Sequence, residues 1–233
     1  SSDGKKAYRY DANGKPVWTA NLPSDFTAGA AGVDGSGRVY VSSIRPQQLT
    51  VRVIRFSATG VLDAGYASPD LEQPSNVEQC DLAVFASGAL THACTSHTNG
   101  IWISRLDPNG ALDPTFAGDG TMLLQDDGFR APEAIITDPT SGMFAFPTGR
   151  PLYANDGRIH LFDAAGPVTA FGTGGVVADT GGGITAFDDG ERTPDGGVLV
   201  ASGIVVDGAT DRVRLRKVGG VFPAPPSAPR NLA

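Results

Sequence analysis

The stretch Arg105-Leu-Asp-Pro-Asn-Gly-Ala-Leu-Asp-Pro-Thr-Phe-Ala-Gly-Asp-Gly120 holds two turn signals in succession. Asp107 opens the first, because a short carboxylate bonds back to the backbone just ahead of it, and Gly110 closes it at a position that accepts positive φ. The residues before Asp107 read as a strand, and Leu112–Gly120 is a second, Gly-rich segment. The strand-and-turn phrase recurs as Tyr8-Arg-Tyr-Asp-Ala-Asn-Gly14, Ile54-Arg-Phe-Ser-Ala-Thr-Gly60 and His160-Leu-Phe-Asp-Ala-Ala-Gly166. Their closing glycines fall at intervals of about 50 residues. A degenerate fifth copy is Arg214-Leu-Arg-Lys-Val-Gly219.

Two further phrases keep the same order. Val168-Thr-Ala-Phe-Gly-Thr-Gly-Gly175 matches the Gly-rich segment well, Val61-Leu-Asp-Ala-Gly-Tyr66 in part, and Pro16-Val-Trp18 only in position. A turn followed by an apolar strand recurs as Asp34-Gly-Ser-Gly-Arg-Val-Tyr-Val-Ser42 and Pro194-Asp-Gly-Gly-Val-Leu-Val-Ala-Ser202. Weaker copies are Asp138–Phe146 and Ala86–Thr91. Val51-Arg-Val-Ile-Arg-Phe56 has apolar residues on both faces, as a strand does when sheets cover it on either side. The pattern predicts an all-β chain, a β-propeller of about four to five four-stranded antiparallel blades over residues 1–220. The competing architecture is an irregular β-sandwich with generic Asx-Gly turns.

The run Arg105–Gly120 resembles the delta-60 repeat, and Val168–Gly175 and Thr193–Ser202 echo it. That resemblance implies a bacterial secreted or surface protein and a propeller fold, and it carries no catalytic motif. The first copy lacks the Phe-Gly element, and the fourth has Leu161 where the others have Arg. Residues 221–233 read as a Pro-rich linker, and Pro225-Pro-Ser-Ala-Pro-Arg-Asn-Leu-Ala233 resembles the start of a fibronectin type III module. The expected partners are therefore other domains of the same polypeptide, together with protein or glycan ligands. The first strand, near Ala7–Tyr10, matches the third strand of later units, so a ring would either be completed from both termini or be larger, with further blades outside this sequence.

Composition narrows the function classes. Only 18% of residues are charged and the formal net charge is −7, which disfavours nucleic acid, whose binders cluster Lys and Arg. No apolar run has the length of a helical membrane span. Cys80 and Cys94 lie seven residues either side of Ser87, the centre of a hairpin turning at Ser87-Gly88. That register sets the two thiols opposite each other, within disulfide reach, and a disulfide places the chain in an oxidising extracellular or periplasmic compartment. The other reading is two small buried thiols that never meet.

Candidate sites are few. His92, His97 and His160 belong to no GxSxG, HExxH or P-loop motif. Asp126, Asp127, Asp188 and Asp189 form two acidic clusters, for which calcium is the matching hard cation, though EF-hand spacing is absent. Trp18 is placed at a surface where its ring would stack on a sugar, whereas Trp102, inside Ile101-Trp-Ile103, reads as core. The repeated Arg9, Arg55 and Arg105 read as clasps on the neighbouring turns. The leading expectation is a non-catalytic interaction or structural module. A lectin-like module would need equivalent aromatics in each repeat, and Trp18 and Trp102 are not at equivalent positions. A polysaccharide-active enzyme would need an asymmetric pair of carboxylates in one pocket.

Overall fold

The computed structural model describes residues 5–45, 50–66, 68–71, 77–96, 100–125, 134–138, 141–148, 157–179, 184–206 and 209–223. Within them the chain is all β. Five antiparallel sheets follow one another along the sequence. The first pairs β1 (Lys6–Tyr10) with β2 (Pro16–Asn21). The second has the order β3 (Thr27–Val33), β4 (Val39–Arg45), β5 (Thr50–Phe56), and the third β6 (Val77–Val84), β7 (Leu90–Ser96), β8 (Gly100–Leu106), β9 (Thr121–Leu124). The fourth contains β10 (Ile136–Thr137), β11 (Phe144–Thr148), β12 (Gly157–Asp163), β13 (Gly166–Pro167) and β14 (Val176–Asp179). The fifth is β15 (Ile184–Arg192), β16 (Val198–Val206), β17 (Ala209–Val218).

The turns form through the bonds their residues dictate. In the phrase after the third strand, the amides of Asn13, Thr59 and Asn109 donate to the side chains of Asp11, Ser57 and Asp107 respectively. Gly14, Gly60 and Gly110 then donate to the carbonyls of the same three residues, with φ of 77°, 84° and 95°. The second phrase repeats equally: Tyr66, Phe116 and Phe171 amides donate to the carbonyls of Asp63, Asp113 and Val168. Each phrase thus keeps one hydrogen-bond plan in three repeats although the side chains differ, and the second and third repeats carry both.

The sheets are not uniformly four-stranded, as the repeat pattern predicts. Among the described residues only β6–β9 has four strands; the others have two, three, five and three. After β5 the described residues pair with it through single bridges, Phe56 with Leu62 and Val51 with Leu71.

Two compact units result, Ser1–Ile135 with Ala164–Gly166, and Ile136–Asp163 with Pro167–Ala233. In the first, alternate residues of β4 face opposite ways. Val39 and Val41 pack with Ala7, Leu22 and Phe26 toward the first sheet, while Tyr40 packs with Leu82, Leu90 and Leu106 of the third. Both faces of the second sheet are therefore buried, as the apolar pattern of Val51–Phe56 predicts. In the second unit Ala145, Ile159 and Leu161 meet Val198 and Val200. Val221 and Phe222 join that core, and the Phe222 amide donates to Gly196, so the packed chain runs past the boundary at 220 set from sequence. Residues 224–233, with the fibronectin-like segment, lie outside the described residues.

The repeated arginines clasp one repeat to the next. Arg9 donates to the carbonyl of Ala58 at 2.8 Å, and Arg55 to that of Pro108 at 2.7 Å, the same position in successive turns. Arg55 also donates twice to Asp63 Oδ2, at 2.9 and 2.6 Å, and holds that carboxyl below the usual carboxylate range. Its guanidinium lies over the Tyr66 ring, 4.3 Å being the corresponding distance from Arg45 to Phe26 and 4.4 Å its own. Arg55→Met is expected to cost about 2 kcal/mol, since hydrogen bonds to charged groups are the stronger class. Arg52→Met, which breaks an exposed pair with Asp70, should cost less than about 1 kcal/mol. Urea unfolding of both variants checks the contrast.

Candidate functional site

The polar cluster with the most chemistry sits between the second and third sheets, around the β6–β7 hairpin. Cys80 pairs with Cys94 in register and the two form a disulfide, with Cα atoms 4.1 Å apart. His92 lies two residues before Cys94 on β7, so both side chains leave the same face. That face turns toward β4, because Leu82 and Leu90 on it pack against Tyr40. Ser42, two residues beyond Tyr40, meets His92 Nε2 at 2.8 Å through its Oγ. The Cys94 sulfur lies 3.5 Å from His92 Nε2 and 3.8 Å from Nδ1. Across from β7, Trp102 is opposite Cys94 and Ser104 opposite His92. Ser42, His92, Cys94 and Ser104 are all buried.

Burial pushes His92 down to about 4, and burial with the Arg158 charge does the same to His160, whose Nε2 lies 3.1 Å from Thr148 Oγ1. Both imidazoles are neutral at pH 7. The unfolded chain takes up these protons near pH 6.5, before the native state does, so stability present above that pH is lost as it falls toward 4. The urea midpoint should therefore drop between pH 7 and 4.5, and His160→Gln should flatten that drop. An unchanged slope in the variant would remove His160 from the account.

Other residues singled out from sequence are placed as follows. The Trp18 indole N–H donates to the Ala58 carbonyl at 3.0 Å, its ring packs on Phe56, and a Cβ at Gly60 would come within 2.7 Å of it. The indole N–H is thus committed to the neighbouring turn, while the ring stays half-buried. Asp126, Asp127 and His97 lie outside the described residues, as does the side chain of Asp188. Asp189 is exposed and accepts from the Gly190 amide at 2.7 Å. It edges a shallow depression of about 170 Å³ with Glu191, Leu199, Ala201 and Leu215. Trp102 is half-buried. Ser42 and Ser104 were not anticipated; the signal for Ser42 was a hydroxyl at the same alternation as buried Tyr40.

The disulfide fits an oxidising compartment. Among the described residues no helix is long and apolar enough to cross a membrane. No protein family matches the sequence, nor does any curated protein. Solved structures do share the fold. A protein of unknown function from Bacteroides caccae superposes with a TM-score of 0.51 at 12% identity, over 86% of this chain and 65% of its own. Hydrazine synthase of Kuenenia stuttgartiensis gives 0.50 at 13%, over 88% and 51%. A protein of unknown function from Dyadobacter fermentans gives 0.51 at 17%, over 90% and 56%. The chain spans between about half and two thirds of these neighbours' length, and at such identities the likeness is one of all-β fold alone.

Proposed function

We propose that the chain is a β-propeller of delta-60-like repeats, with four to five blades, serving as a non-catalytic interaction or structural module of a secreted or surface multidomain protein. The carrying observation is the clasp from one repeat to the next, Arg9 to Ala58 and Arg55 to Pro108, which ties successive sheets in one direction. The repeats' carboxylates support the same reading. Asp11, Asp34 and Asp107 accept from their own turn amides, and Asp63 binds Arg55. They are committed to holding the scaffold rather than gathered in a pocket. The partners expected of such a module are other domains of its polypeptide and protein ligands at its loops, glycan ligands belonging to the lectin alternative. Calcium at the acidic clusters is part of the proposal only as a loop-ordering ion.

The test is a glycan array probed with the oxidised chain, with and without millimolar calcium, beside hydrolysis assays on the same polysaccharides. The scaffold reading expects neither saturable glycan binding nor turnover. Saturable binding to one glycan class would replace it with the lectin reading, and turnover with the enzyme reading.

A further inference from the structure

The layer between the second and third sheets is apolar along most of its length, with Tyr40, Val53, Leu82, Leu90 and Leu106 in contact. Beside the Cys80–Cys94 disulfide it carries polar side chains, where Ser42, His92 and Ser104 are buried. A cross-strand disulfide needs no imidazole next to it, and burying a polar ring costs free energy that Leu or Val at position 92 would avoid. An imidazole nitrogen and both sulfurs lie together, all three ligand atoms being within 4.8 Å of one another. Zinc bonds of about 2.3 Å to sulfur and 2.05 Å to nitrogen at tetrahedral angles set those atoms about 3.6 Å apart. Cys94 Sγ is already 3.5 Å from His92 Nε2.

We propose that the reduced chain binds a divalent cation of the zinc type at Cys80, His92 and Cys94, and that this metal and the disulfide are alternative closures of the same hairpin. Two thiolates and an imidazole select zinc over the hard cations calcium and magnesium. Ser42 stands against Nε2 on the remaining side, where its hydroxyl would exchange the imidazole bond for the fourth ligand position or a bond to a water there. The newly made chain carries both cysteines as thiols, so loading needs no reductant: the cation forms two metal–thiolate bonds and one metal–imidazole bond, and two protons leave. Oxidation reverses this. A disulfide donor takes two electrons from the thiolate pair and, with two protons, departs as two thiols, while the Cys80–Cys94 bond forms and the cation is released. The hairpin is thereby closed before and after oxidation.

The experiment uses the folded chain reduced with a phosphine, which goes to its oxide by taking oxygen from water as the disulfide gains two electrons and two protons. Cobalt(II) is titrated in as a spectroscopic stand-in for zinc. The expected result is one cobalt per chain, with thiolate-to-cobalt charge transfer and the intense visible bands of a tetrahedral site, both erased by zinc. Zinc should also raise the melting temperature of the reduced chain and leave that of the oxidised chain unchanged. Cys80→Ser should weaken the charge transfer. His92→Asn should keep it but lower affinity by at least about tenfold, since even second-shell losses cost that much. The proposal is overturned if the folded, reduced chain shows no charge transfer. It is equally overturned if the cobalt signal is indifferent to Cys80→Ser, or if reduction unfolds the chain and zinc does not restore it.

Discussion

Phe144→Ala is expected to destabilise the oxidised chain by about 3–5 kcal/mol, the range for deleting a fully buried ring. Phe144 lies on β11 opposite Phe162 on β12, and their rings stack with centroids 5.0 Å apart and planes 7° from parallel. Phe146, two residues on, stacks on Phe162 at 5.0 Å as well. All three are fully buried. Truncation removes the transfer free energy of the ring, leaves a cavity that two neighbouring rings can fill only by leaving their rotamers, and ends two aromatic contacts. Val17→Ala, at a position 54% exposed, is the control and should stay within about 0.5 kcal/mol. Urea unfolding followed by far-ultraviolet circular dichroism measures both. A loss below about 1 kcal/mol at Phe144 would mean that the aromatic face of the fourth sheet is not packed as described.

The second large effect concerns the hairpin clasp. Cys80→Ala with Cys94→Ala, measured without added metal, should cost about 3 kcal/mol, the entropy expected from closing a loop of about 15 residues in the unfolded chain. The bond joins residues separated by 14 positions, and the hairpin between them is also held by its own ladder, so strand content should survive. A loss of all strand signal would show instead that the third sheet depends on the disulfide to form. Free-thiol titration of the denatured, unreduced wild-type chain should find no reactive thiol; two would remove the disulfide and the compartment argued from it.

Much of this was legible in the sequence because the responsible interactions are local. Asp107 and Gly110 make their turn with each other, and Asp11–Gly14 and Ser57–Gly60 make the same one, so the repeats can be read a few residues at a time. The disulfide was legible because a hairpin centred on Ser87 fixes which residues oppose. What was not legible depends on register between sheets. His92 meets Ser42 only because β4 and β7 present matching alternations across an interface, from positions 50 residues apart. Trp18 looked exposed until the turn of the next repeat was laid over it, with Gly60 leaving room for the indole. Val221 and Phe222 were hidden by the prolines behind them, which marked a linker two residues too early.

The most direct test of the central claim is a crystal structure of the oxidised chain, read for how the five sheets are disposed. The propeller account predicts that they radiate about one axis, each face to face with the next, with β3, β6 and β15 nearest the axis. Sheets stacked instead as a two-layer sandwich, with the Arg9 and Arg55 clasps unmade, would contradict it.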